Sequence, residues 1–430
     1  MSCTRAMIWH RPGLLRPGRR GCAVFAGSSR GVALSRLLEG TRVVELASVL
    51  AGPSVTQFLA ELGATVIKVE NPSTKGDVTR TWRLPSEPVS DVTAYFSCCN
   101  ISKSSIAVDV RKPEGLKIVQ DLASSSDIVI ASYKPGDAEK LGLDFETLQA
   151  RRPSLIYGQI TGYGHDDPRA GYDAVMQAEA GFQYMNGNPD GPPVKMPVAL
   201  IDLLAAHQLK EAVLASLVRR ERTGEGAFVS VSLLGAAVSS LANQGTSWTI
   251  AGNIPQRAGS EHPSIVPYGT VFEDNKGDEL VFAVGSDKQF SALCEVLELG
   301  SLPSDPRFLR NSDRVKHRTE LVNMLREAVS QRDRESILEE LYRRAVPAGA
   351  VNNVRDAFKH PEAARLIATH DGKAVGSRQI SFTETGGSVA DVTPPPHYAQ
   401  HTRQVLRDVL GLDDAAISGL VAAGVVTASD

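Results

Sequence analysis

Cysteine is scarce in this chain. Its 430 residues hold five, Cys3, Cys22, Cys98, Cys99 and Cys294, and no Cys-x-x-Cys pair. Cys98 and Cys99 are neighbours, a poor geometry for a mutual disulfide. This usage fits a reducing compartment and no structural metal. No apolar run reaches the roughly 18 residues that a membrane-spanning helix needs. No long basic block interrupts the body and the formal net charge is −3, which argues against a dedicated nucleic-acid binder. No Ser/His/Asp order and no metal-ligand spacing is legible, and the nine histidines are scattered. The first 38 residues lack acids altogether, yet carry seven arginines (Arg5, Arg11, Arg16, Arg19, Arg20, Arg30 and Arg36) and several serines. Arginine-rich, serine-bearing and acid-free is the composition of a mitochondrial transit peptide, so import into the matrix and loss of roughly the first 30–38 residues is expected.

What remains is an ordinary globular composition, 42% hydrophobic and 22% charged. The length exceeds what one core usually serves, so two domains or one large elaborated one are expected. Short β-branched runs read as buried strands at 41–46, 65–70, 105–110, 127–131 and 154–160, with another at 225–234. Helical patterns fall between them, after Pro53 and after Pro113. Alternating strands and helices make an open doubly wound α/β sheet the economical reading, with ligand loops after the strand C-ends at 50–53, 132–136 and 161–164. The loop at 50–53 faces a helix start, a natural anion site, but is neither G-x-G-x-x-G nor a Walker sequence. Composition shifts near 246–266. A hairpin signal at 271–284 and helices to about 344 read as a smaller α+β block. The expected divisions are 1–38, 39–245, 246–330 and 331–430, with strand chemistry at 346–351 taken as the chain returning to the large domain.

One carboxylate stands apart. Asp202 follows an apolar run, Val198 to Ile201, and precedes a long helical pattern to about Arg222. On spacing alone an N-cap is the plain reading. A chemical role is the alternative, and the two are compatible, since a capping site lowers a carboxylate's pKa.

The segments 43–72, 95–115, 127–143, 154–164, 171–181, 186–195, 222–234, 262–269, 346–354 and 401–412 together resemble the class III CoA-transferases, the group containing formyl-CoA transferase and carnitine CoA-transferase. The likeness spans almost all of 40–425. It implies a Rossmann-like large domain built from both chain ends, an inserted small α+β domain and an interlocked homodimer. It implies acyl-CoA and carboxylic-acid substrates, with no nucleic acid, membrane, metal or permanently bound cofactor. Within the family the chain looks most like the mitochondrial branch that moves CoA from succinyl-CoA to glutarate or 3-hydroxy-3-methylglutarate.

The family's nucleophile, an aspartate after the Asp-Gly-Pro-Pro loop, falls on Asp202. Its CoA contacts fall on Leu50, Ala51, Val108, Asp109, Val110, Arg111, Ser132, Tyr133, Lys134, Lys140 and Tyr172. Arg111, Lys134 and Lys140 suit CoA phosphates, and Tyr133 suits adenine. Asp173 stands where formyl-CoA transferase has a glutamate, and Asn71 where it has an arginine. The segment 257–264 lacks that enzyme's run of glycines, which implies a different acceptor or a less mobile lid. Arg257 and His262 are the first places to look for a partner to a substrate's second carboxylate. The racemase branch of the superfamily has a histidine where this chain has Tyr172, whose ordinary pKa near 10 suits proton exchange poorly. A non-catalytic CoA-binding protein is the remaining alternative, and retention of Asp202 speaks against it.

Overall fold

The computed structural model describes residues 36–384 and 390–429, so the expected transit peptide lies almost wholly outside the described residues. Its centre is a seven-stranded sheet in the order β12-β3-β2-β1-β4-β5-β6. The strands are β1 (Arg42–Leu46), β2 (Thr65–Glu70), β3 (Lys103–Val108), β4 (Ile128–Ala131), β5 (Ile156–Thr161), β6 (Ala227–Ser232) and β12 (Val426–Thr427). The first six pair in parallel, and β12 closes the β3 edge antiparallel. Parallel strands need both faces covered, and the central β4 is accordingly a continuous apolar run, whereas β1 and β2 carry the buried Glu45 and Lys68. Val43, Val66, Ile128, Ile130 and Ile156 pack on one face under helices Ala51–Glu61 and Leu200–Thr223. Val44, Ile67, Val129 and Tyr157 pack on the other, under helices Pro113–Ser124 and Thr402–Leu410. The order reverses between β1 and β4, the switch point at which open α/β sheets hold ligands.

A second sheet, β7 (Tyr268–Glu273), β8 (Glu279–Ala283) and β9 (Ala348–Ala350), is antiparallel and has its own core of Phe272, Phe282, Phe290, Leu325 and Leu341. This corrects the expected division at 330. Helix Arg334–Arg343 buries Ile337, Leu338 and Leu341 in that core, and β9 pairs with β8. Strand chemistry at 346–351 therefore belongs to the smaller sheet and is not a return to the large one. A hairpin of β10 (Ile367–His370) and β11 (Lys373–Ser377) was also not foreseen. No helix among the described residues is long and apolar enough to cross a membrane.

Candidate active site

The loops that follow β1, β4 and β5 meet over the switch point and enclose a cavity of about 190 Å³. Ser48 to Gly52 form one wall, Ser132 to Pro135 a second, and Ile160 to Gly162 a third. Two close approaches shape it. A Cβ on Gly52 would lie 2.4 Å from the Cβ of Ala47, so the first loop folds back on itself only with glycine there. Gly162 and Gly171 touch backbone to backbone, since a Cβ on Gly171 would meet the Gly162 Cα at 2.5 Å.

Asp202 lines this cavity. It is the third residue of helix Leu200–Thr223, and the N-cap is Ala199, which makes no side-chain capping bond. The cap expected of Asp202 is supplied from elsewhere. Asp173 Oδ1 accepts the Ile201 N–H at 2.8 Å, and its Oδ2 accepts from Gln177 Nε2 at 2.7 Å. Gln177 also takes the Met196 N–H at 2.8 Å, so these two residues of helix Asp173–Glu179 staple the approach to the long helix. Asp202 is left with its carboxylate turned to the cavity and no hydrogen-bond donor among the described residues.

The pKa consequence reverses the expectation of a cap-lowered acid. A helix start favours a negative charge. Burial outweighs it and, with the charge of Asp173 as the second cause, pushes Asp202 up to about 7. Tyr95, on the short helix Ala94–Ser97, is pushed up to about 12 by burial and then by the charge of Asp202.

Several of the sequence candidates come together. Leu50, Ala51, Ser132, Tyr133, Lys134 and Tyr172 line the Asp202 cavity. A neighbouring cavity of about 450 Å³ is lined by Val108, Val110 and Asn71, and shares Ser48, Ser132 and Tyr133 with the first. Burial pushes the Tyr133 hydroxyl up to about 12. Others are not brought in. Asp109 and Arg111 grip each other at 2.8 Å beside that second cavity, and Lys140 is exposed and paired with Asp137. Arg257 donates to the Tyr184 carbonyl at 3.1 Å, and His262 accepts from the Ser264 N–H and meets the Tyr268 ring edge-on. Neither lines the Asp202 cavity.

Arg169 was missed. It lines the cavity, stacks 3.7 Å over the Tyr163 ring and is paired with Asp167. Its only signal was a position in the turn-rich stretch before Tyr172. Asp77 was missed as well, since no motif or spacing around it marks a site; its carboxylate is buried and accepts the Val49 N–H at 3.2 Å.

Comparison with known proteins agrees with this architecture. Residues 38–402 match CoA-transferase family III. The chain is 36% identical to succinyl-CoA:glutarate CoA-transferase of Mus musculus over 98% of this chain and 97% of that one. It is 35% identical to succinate–glutarate CoA-transferase of Agrobacterium fabrum over 88% and 97%. The crystal structure of a CAIB/BAIF family protein from Brucella suis superposes with a TM-score of 0.78 at 38% identity, covering 86% of this chain and 99% of that one. With that match along most of its length, the chain belongs to CoA-transferase family III and is a CoA-transferase.

Proposed function

We propose that Asp202 is the nucleophile of a transfer of CoA from succinyl-CoA to a dicarboxylic acid such as glutarate or 3-hydroxy-3-methylglutarate. The observation that carries this is a buried carboxylate without a donor, facing a cavity at the switch point, with its pKa near 7. Such a carboxylate is a stronger nucleophile than an ordinary, well-solvated one. It attacks the thioester carbonyl and expels CoA thiolate, leaving a mixed anhydride. The thiolate then attacks the aspartyl carbonyl, releasing succinate and leaving an aspartyl-CoA thioester. The acceptor carboxylate displaces the thiolate to form a second anhydride. Attack of the thiolate on the acceptor's acyl carbon releases the new thioester and restores Asp202. Each bond broken is replaced by one of comparable activation, so no nucleotide is consumed.

The N–H groups at the start of helix Ala51–Glu61 stabilise the oxyanions. CoA runs from the second cavity into the first, along Tyr133 and Ser132. Lys134 meets a phosphate, and Val108 to Arg111 border the nucleotide end. For the acceptor's far carboxylate the cavity offers Arg169 in place of Arg257 or His262. No histidine is among the residues lining the cavity, which favours transfer over racemisation. The names of the relatives that act on succinyl-CoA and glutarate support the substrate pair. We further propose that residues from about 252 to 350 form an inserted domain and that two copies interlock. The exposed Trp248, Ile250 and Ile254 supply apolar surface for that contact. The acid-free arginine-rich start directs the chain to the mitochondrial matrix.

The test mixes the protein with succinyl-CoA and a panel of mono- and dicarboxylic acids and follows acyl-CoA products by mass. Intact-mass analysis reads the aspartyl-CoA adduct, which Asp202→Ala abolishes together with turnover. Full activity in Asp202→Ala overturns the assignment. Arg169→Gln raises KM for diacids and not for monoacids, and sedimentation reads the dimer.

A further inference from the structure

We infer that Glu45, Lys68, Asp77 and Lys103 form a buried clamp that holds the cavity loop 47–53 in its working shape, so that Lys68, Asp77 and Lys103 are positioning residues for the transfer step. The inference rests on the reading of Asp202 as the nucleophile. All four side chains are essentially closed to solvent. Glu45 is the hub. Lys68 Nζ reaches its Oε1 at 2.6 Å and Lys103 Nζ its Oε2 at 2.7 Å. Lys68 extends to Asp77 at 2.8 Å.

Three further bonds of this cluster converge on one loop. Lys68 donates to the Ala47 carbonyl at 3.1 Å, where the loop begins. Asp77 accepts the Val49 N–H at 3.2 Å, at its apex. Lys103 donates to the Pro53 carbonyl at 2.9 Å, in the first turn of helix Ala51–Glu61. Between these three points Val49 is held at φ +70°, a conformation a β-branched residue adopts only at a cost of about 1–3 kcal/mol. Its carbonyl accepts from the Cys99 thiol at 3.4 Å. The next three residues, Leu50, Ala51 and Gly52, line the Asp202 cavity, and no acceptor for their N–H groups occurs among the described residues.

A buried ion cluster is a weak way to stabilise a sheet, since apolar side chains of similar volume often do as well or better. What it supplies that apolar packing cannot is direction. It presents fixed donors and acceptors to a loop whose own donors face the reacting group. The clamp thus sets where the loop N–H groups stand relative to the carbonyl that Asp202 attacks, and a displacement there of about 1 Å costs on the order of 100-fold in rate.

Two variants test it. Asp77→Asn keeps the shape and one acceptor oxygen but removes a charge from the clamp. Val49→Gly leaves the clamp intact and relieves the strain at φ +70°, which glycine adopts freely. Single-turnover formation of the aspartyl-CoA adduct is followed by intact mass, beside KM for succinyl-CoA and thermal stability. Asp77→Asn slows adduct formation by about 10- to 100-fold with KM changed less than about threefold, whereas Val49→Gly, its clamp intact, keeps the parental rate. A purely structural clamp predicts a parental rate in a less stable Asp77→Asn, and that result overturns the inference. Should Asp77→Asn fail to fold, Lys68→Arg, which keeps the charge but moves the donor to the Ala47 carbonyl, decides by the same measurement. A parent chain that forms no adduct sinks the nucleophile reading and this one with it. An adduct formed at parental rate by Asp77→Asn sinks the clamp alone.

Discussion

Two regions of buried charge lie on either side of the same cavity, and they are built on opposite plans. Under the β1 loop, two carboxylates and two amines are interleaved at hydrogen-bond distance. Burial opposes the charge on Glu45, but Lys103 and Lys68 overcome it and hold the acid below its usual range. Burial likewise opposes Lys68, and Glu45, Asp77 and Glu70 hold its amine well above the usual range. At the start of helix Leu200–Thr223 the neighbour of Asp202 is another acid, and nothing offsets the loss of water. Paired burial gives a rigid support. Unpaired burial leaves a carboxylate with a raised pKa, maintained against the stability of the fold.

The largest test of that contrast breaks the paired side. Glu45→Gln leaves two buried amines facing each other and lowers unfolding free energy in urea by about 3–5 kcal/mol. A loss under about 1 kcal/mol, the scale of a surface pair, removes the contrast.

The next sharpens the unpaired side. The folded-state pKa of Asp202 is raised to about 7, against about 3.9 in an unfolded chain. Its proton is therefore bound more tightly in the folded protein, and stability falls as pH rises from about 4 to about 7. Asp202→Asn mimics the protonated form, so at pH 8 it is inactive yet more stable by about 2–4 kcal/mol, and the gain fades as pH is lowered toward about 4. Equal stabilities across that range contradict the reading.

Lys210, further along the same helix, is a milder case. Burial pulls its amine down to about 8, against the charge of Glu61, and it keeps a bond to Gln379 and a ring contact with Phe58. Lys210→Met gains about 1 kcal/mol at pH 7, and the gain disappears as pH rises past about 8 toward about 10, where the parent lysine discharges. The smallest effect is a displacement. Asp173→Asn keeps an acceptor for the Ile201 N–H but removes the second cause of the Asp202 shift, so the rise of rate with pH moves from about 7 to lower pH. An unmoved profile leaves burial as the sole cause.

Much of the large sheet is legible in the sequence because its strands carry short β-branched runs, as at 128–130 in β4. β9 misled for the opposite reason. Ala348-Gly349-Ala350 is too short and small to say which sheet it joins, and only the apolar face of the helix before it decides. The β10–β11 hairpin carried the Asp371-Gly372 turn signal, with both residues at positive φ, but its strands lack apolar alternation. At the site, the position of Asp202 was legible through resemblance and its electrostatics were not. The residue that caps its helix lies far upstream in the sequence, and nothing local distinguishes a carboxylate that caps from one that a distant carboxylate has relieved of capping.

The β12 strand has a consequence for how the molecule is made. It seals the β3 edge, and before it the segment 399–402 already binds that strand, with the Ser105 N–H on the His401 ring and the Ala107 N–H on the Thr402 hydroxyl. An edge strand left open is a template for other chains. Here the cover follows every other strand of the sheet in chain order, so those strands are made before the β3 edge can be sealed, and until then that edge is open to pairing with other chains.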